Sequence, residues 1–176
     1  MSNTDNPLTD FSGCHVGIIK NFEELKHLLE IIDDPAKAKE VKKLAKKLVQ
    51  FFKEVVLEHH AEEEKELFNA VLESLDDSDD SAKAKQYIEQ LVSEHRRLES
   101  LWSMVEGDLK KLSKGKTVSL DIATIDTLAT EYLAHAKFEE DYFLPLSEEI
   151  LSKNGLSALG LSLHMRREDS HISSYI

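Results

Sequence analysis

The sequence predicts an all-α protein: an antiparallel up-down-up-down four-helix bundle with a short C-terminal helical extension. Three observations lead there. Apolar residues recur at three- and four-residue spacing through four long stretches, and Val and Ile follow that spacing rather than a strand's alternation. The 176 residues hold only six glycines and three prolines, with Pro35, Gly115 and Gly155 falling where breaks belong. The breaks are short, which makes successive helices antiparallel neighbours.

The first helix is expected from about Ser12 to Ile32, with Ile18, Phe22, Leu25, Leu28, Leu29 and Ile32 forming its apolar stripe. Asp33-Asp34-Pro35 ends it. Asp34 is placed to cap the second helix with Pro35 at its first position. That helix runs to about Leu75, and the polar run Asp76 to Asp80 breaks the chain. A third reaches about Leu112 and closes near Gly115. Ser119 is the expected cap of the fourth, with Asp121 favourable in its first turn. Pro145 brings no N–H to the ladder, so the fourth helix is expected to bend or end there. Asn154-Gly155 reads as a stop, and Leu156 to Arg167 as a short last helix. The expected organisation is a bundle over 11–153, a flexible N-terminus over 1–10 and an extension over 154–176.

Charge and cysteine content exclude several function classes. With 34 acids against 22 bases the net charge is -12, a field that repels nucleic acid and anionic lipid. The one cysteine, Cys14, excludes an intrachain disulfide framework and a cysteine-cluster zinc site. Met1 to Asp10 has no apolar core of a secretory signal, and no apolar run is long enough for a membrane span, so the expected location is cytoplasmic. Lys37, Lys39, Lys42, Lys43, Lys46 and Lys47 read as a solvated helix face, with docking of a separate acidic protein as the functional alternative.

The unusual component is eight histidines. His59-His60-Ala61-Glu62-Glu63-Glu64 on the second helix and His135-Ala136-Lys137-Phe138-Glu139-Glu140 on the fourth superpose with an offset of 76 positions, matching His59 with His135, Glu63 with Glu139 and Glu64 with Glu140. Each His-x-x-x-Glu places an imidazole and a carboxylate one turn apart on one face. On the first and third helices an offset of 80 matches His15 with His95, Ile18 with Leu98 and Phe22 with Trp102, so both histidines continue an inward stripe. The chain reads as two copies of one helical hairpin. At about 1.5 Å per residue three of the four helices bring their histidine to nearly one level. The second helix overhangs at its Pro35 end.

Four imidazoles and two carboxylates converging in a core are costly to bury unless something binds them. A thiolate-free set of this kind suits iron, manganese or zinc. The expected metal ligands are His15, His59, His95 and His135 as terminal groups, with Glu63 and Glu139 bridging two ions and an open position left for an outside ligand. The alternative is a set of satisfied core histidines in a metal-free or structural-metal bundle that acts as a protein-interaction module.

At these residues the chain resembles the hemerythrin-like (HHE cation-binding) family. His15, His59-x-x-x-Glu63, His95 and His135-x-x-x-Glu139 are similar to its H–HxxxE–H–HxxxE form, and Leu67-Phe68, Phe143-Leu144-Pro145 and the opening Phe11-Ser12-Gly13-Cys14-His15 fit it as well. The resemblance covers about Phe11 to Leu151. It implies a four-helix bundle holding two iron ions as a non-heme di-iron centre, with manganese or zinc as alternatives. It implies as partner a small diatomic ligand (oxygen or nitric oxide) or peroxide, in binding, sensing, stress response or iron handling. A weak peroxide- or nitric-oxide-directed oxidoreductase activity is included in that range. Two departures bear on the site. Oxygen carriers of the family have a second histidine one turn along the third helix, where this chain has Glu99. Their last carboxylate lies five residues after its histidine, which selects Glu140, whereas the internal repeat selects Glu139.

Other residues compete for roles. His60 aligns with Ala136, and a step of about 100° turns it away from the site; a rotated helix would make it a fifth ligand. His27 is expected at the surface or behind a ligand, and Glu24-x-x-His27 is a single copy of a motif that ferritin-type sites need twice. His164 and His171 lie in the tail. Cys14 is either a redox thiol beside the metal or a small buried residue. Tyr132, one turn before His135, is placed to hydrogen-bond a ligand or simply to pack.

Overall fold

The structure, a computed structural model, describes residues 6–173, with side chains described up to residue 167. Among them there are helices and no strand. Helix α1 spans Pro7–Ile31. It starts a turn and more before the expected Ser12, because Asn6 caps it by accepting from the Leu8 N–H and Pro7 occupies the first position. A 3-10 turn at Pro35–Lys37, capped by Asp34 as expected, leads into a second rod made of α2 (Ala38–Phe51), α3 (Leu57–Glu62) and α4 (Phe68–Glu73). Two π turns, Phe52–Val56 and Glu63–Leu67, splice these three pieces.

Helix α5 spans Asp79–Ser113, capped by Ser78 and closed at Gly115, whose φ of 76° is the left-handed conformation that glycine adopts without strain. Helix α6 (Ile122–Phe138) is capped by Asp121 rather than Ser119, through the Thr124 N–H. A third π turn, Glu139–Phe143, joins it to α7 (Leu144–Ile150). Pro145 therefore does not end the rod. It sits at the first turn of α7, just past the π turn, where its missing N–H is tolerated. The expected stop at Asn154-Gly155 is also displaced: the break is at extended Leu151, and Gly155 lies inside α8 (Lys153–Ser173).

Two apolar clusters form the core. One contains Ile18, Phe22, Phe52, Val56, Leu98, Trp102, Leu128 and Tyr132. The other contains Leu8, Phe11, Leu67, Phe68, Leu91 and Phe143, with Leu159 and Leu163 of α8. Stacked rings tie the first together: Phe52 on Trp102 at 4.0 Å and Phe22 on Tyr132 at 4.5 Å between centroids. On each of the four rods the inward histidine, with the glutamate that follows it on the second and fourth, lies where one cluster gives way to the other. A polar layer thus lies in the middle of an apolar interior, walled off above and below. No helix among the described residues is long and apolar enough to cross a membrane.

Candidate metal centre

All six residues expected from the sequence, His15, His59, Glu63, His95, His135 and Glu139, lie in this layer, each at most 2% exposed. Their ligand atoms form two overlapping groups. His15, His59, Glu63 and Glu139 make one; Glu63, His95, His135 and Glu139 make the other, all atoms of a group within 4.8 Å of one another. Both carboxylates belong to both groups. Glu63 Oε1 is 3.0 Å from His59 Nε2 and its Oε2 is 3.2 Å from His95 Nε2, so one carboxylate faces both sides. Glu139 likewise lies 2.7 Å from His15 Nε2 and 3.5 Å from His135 Nε2.

His60 departs from its expected outward direction. It is 1% exposed, stacks on His95 at 3.9 Å between centroids, and groups with His95 and His135 as a third potential ligand. The reason is Glu99. It accepts the His60 Nδ1–H at 3.1 Å from the edge of the layer and leaves Nε2 inside. Glu99 is neither an idle surface residue nor a member of the clusters. It binds His60 and Arg96, and those two bonds, His60 first, hold its carboxyl down at about 2. The sequence signals that could have found this were the His59-His60 doublet and a carboxylate one turn after His95.

Carboxylates hold the outer nitrogens of other histidines too. His15 Nδ1 donates to Glu140 at 2.6 Å, His95 Nδ1 to Glu64 at 2.8 Å and His135 Nδ1 to Glu94 at 2.8 Å. Since a carboxylate only accepts, each Nδ1 carries the proton and each Nε2 presents a lone pair to the interior. Glu140 is thus an outer partner while Glu139 faces the histidines, as the internal repeat selects. The Glu-Glu doublet in both repeats was the signal: its first member turns inward and its second reaches a histidine of the other hairpin.

The interior nitrogens are the deciding observation. Nε2 of His15, His59, His60, His95 and His135 is buried in every case without a properly aligned hydrogen bond, as are Glu63 Oε2 and both Glu139 oxygens. Eight unsatisfied acceptor-type atoms aimed at one small volume repel one another, and a cation relieves that. Without one, protons take part of the load. Burial disfavours charge on His15, His59 and His95, yet Glu139 beside the first and Glu63 beside the other two raise all three above the ordinary imidazole value. Burial likewise opposes ionisation of Glu63, but His59 and His95 hold its carboxyl well below the usual range. His60 is pushed by burial down to about 4, which its bond to Glu99 does not offset.

The comparison with known families agrees with this chemistry. The model of the hemerythrin HHE cation-binding domain matches residues 6–147. The chain belongs to that family. A search of the curated proteins and of the solved structures finds no match. In this HHE domain His60 on the second rod lies beside His95 and His135, and the position one turn after His95 carries its carboxylate partner, Glu99. Tyr132 is fully buried with its hydroxyl unpartnered, and burial, then Glu63 and Glu139, pushes the phenol well above its ordinary value. Cys14 is half-buried against His59. His27 is 45% exposed between Glu30 and Glu40, and Glu24 pairs with Lys47, so neither joins the centre. His164 is exposed; the side chain of His171 lies outside the described residues.

Proposed function

We propose that the chain is a cytoplasmic non-heme di-iron protein that binds or reacts with oxygen, peroxide or nitric oxide. The observation that carries this reading is the convergence of four imidazoles on two shared carboxylates, with the buried Nε2 of His60 beside two of them. His15 and His59 would hold one iron and His95, His135 and His60 the other, with Glu63 and Glu139 reaching both. Iron so held supplies electron transfer and an exchangeable coordination position. The protein residues do the rest. Glu140, Glu64, Glu94 and Glu99 keep four imidazoles in one tautomer and make them better donors. The two apolar clusters exclude water from above and below, and the buried Tyr132 hydroxyl is a donor available to an oxygen or nitrogen atom arriving in the layer.

His60 adds a third imidazole beside His95 and His135 and has no like neighbour at His15–His59, which makes the His15–His59 side the place for an outside ligand. The order in which each rod passes from one cluster through the polar layer to the other supports an antiparallel up-down-up-down bundle. We take 11–153 as that bundle and the C-terminal residues as an extension laid across it.

The test is metal per chain after anaerobic loading with ferrous iron and desalting. About two irons per chain, with charge-transfer bands that change on oxidation, is the expected result. One iron refutes the shared-carboxylate scheme. No iron, with two manganese or zinc ions taken up instead, refutes iron but keeps the centre. No metal of any kind refutes the reading and favours a protein-interaction module.

A further inference from the structure

The internal repeat lets each half of the centre be checked against the other. On the first helix of each hairpin, residues correspond at an offset of 80; on the second, at an offset of 76. The rule is kept where Glu140 holds His15 and Glu64 holds His95, each carboxylate crossing to the other hairpin. It is broken at two places.

Glu94 holds His135 Nδ1 at 2.8 Å, and its counterpart is Cys14. The Cys14 thiol lies against His59, the counterpart of His135, yet His59 Nδ1 is buried and makes no hydrogen bond of ordinary geometry. The second break removes a ligand: the counterparts of His60 and Glu99 are Ala136 and Ile19. Both breaks weaken the same group, His15–His59–Glu63–Glu139.

The outer surface differs in the same sense. Over His59 it opens as a groove of about 510 Å³ whose lining includes Gly13, Cys14, Glu58, Glu62 and Arg167. Space beside Gly13 and Gly17 is empty out to 4 Å. Over His135 the surface also opens, but as a smaller groove of about 340 Å³, where larger groups take the corresponding positions: Glu94 for Cys14, Phe138 for Glu62, and the Arg97–Glu131 ion pair for Gly17 and Val55.

A carboxylate on Nδ1 fixes an imidazole and raises its basicity, and such partners are worth about 10–100-fold in metal affinity. A thiol is a weak acceptor and supplies little of this. We infer that Cys14 makes the two metal positions unequal, so that the ion at His15–His59 is weakly held and exchanges through the groove over Cys14 while the ion at His60–His95–His135 is retained. The inference rests on the two-metal reading above. It makes the first position fill with whichever divalent first-row ion is in supply, while the second keeps the ion it holds.

The experiment titrates the metal-free full chain with cobalt(II), following its visible bands against a competing chelator. Wild type should bind two ions in steps at least about tenfold apart, both retained on desalting, and dialysis against the competing chelator should strip the weaker one first. Cys14→Glu should tighten the weak step about tenfold or more and leave the strong one. Glu94→Cys should weaken the strong step by a similar factor. Cys14→Ala should leave both; a packing role for Cys14 would instead move the melting temperature without changing the gap. Circular dichroism checks each fold, and if Cys14→Glu does not fold, Glu94→Cys decides alone. Two equal steps in wild type overturn the inference, as does a folded Cys14→Glu that moves neither step or both. Fewer than two ions in wild type overturns the two-metal reading itself.

Discussion

Removing Glu64 or Glu140 separates holding a metal from holding the fold. Each carboxylate accepts one Nδ1–H, from His95 and His15 respectively, and neither belongs to the ligand groups. Their side chains are 22% and 37% exposed while the imidazoles they hold are buried, so the bond lost in Glu64→Ala or Glu140→Ala should cost about 1–3 kcal/mol of fold stability. The imidazole that each supported loses its fixed tautomer and part of its basicity. The expected cost is about 10–100-fold in metal affinity, or about 1.4–2.7 kcal/mol. His15 and His95 serve different groups, so each variant should weaken a different ion most, and the double variant should weaken both, with coupling through the shared Glu63 and Glu139. Competition with a chromophoric chelator measures the two affinities, and thermal melts of the metal-free chains measure the fold. Unchanged affinities, or both variants weakening one and the same ion, would refute the assignment of these carboxylates.

Other predictions follow from the same geometry. His60→Ala should still bind two ions but hold the His95–His135 ion at least about tenfold less tightly; unchanged chelator competition would show that His60 is no ligand. In the metal-free protein His15, His59 and His95 have raised values, so their stabilisation is complete below about pH 6.5 and is lost as pH rises through the folded values. His60 has the opposite sign: its contribution is present above about pH 6.5 and is lost as pH falls toward about 4. Melting temperature without metal should therefore fall as pH is raised from about 6.5 to 8.5, and the metal-loaded protein should not show that fall, since ions replace the protons. Leu109→Ala, at a fully buried position remote from the centre, should cost about 2–5 kcal/mol, seen as a drop of several degrees, with the metal count unchanged.

The sequence showed much of this because the relevant signals repeat. Helical spacing located four rods, and two copies of His-x-x-x-Glu with His15 and His95 named the six central residues. Local rules failed where tertiary contacts decided the outcome. His60 looked outward by angle, but an angle along one helix carries no information about Glu99 on another. Pro145 looked like a terminator because nothing in a residue string announces a π turn before it. Asn154-Gly155 looked like a break, but leucines 159 and 163 anchor α8 to the core and carry the helix through it. Asp121 displaced Ser119 as a cap by two residues, an ordinary competition between two good caps.

The π turns record an order of events. Glu63 and Glu139 each open one, with the Phe68 N–H reaching back to the Glu63 carbonyl and the Leu144 N–H to that of Glu139. A π turn is what a helix makes of one extra residue, and these two sit at matching places, 76 positions apart. If the hairpins descend from a common ancestor, the extra residue was already beside the glutamate before that ancestor was copied. The turn at Phe52–Val56 has no partner in α6, so it distinguishes one copy from the other and came or went later. On that ordering the inward glutamates belong, with the histidine pairs His15–His95 and His59–His135, to the part the two copies share, and His60 and Cys14, whose counterparts are Ala136 and Glu94, are where the two halves have since diverged.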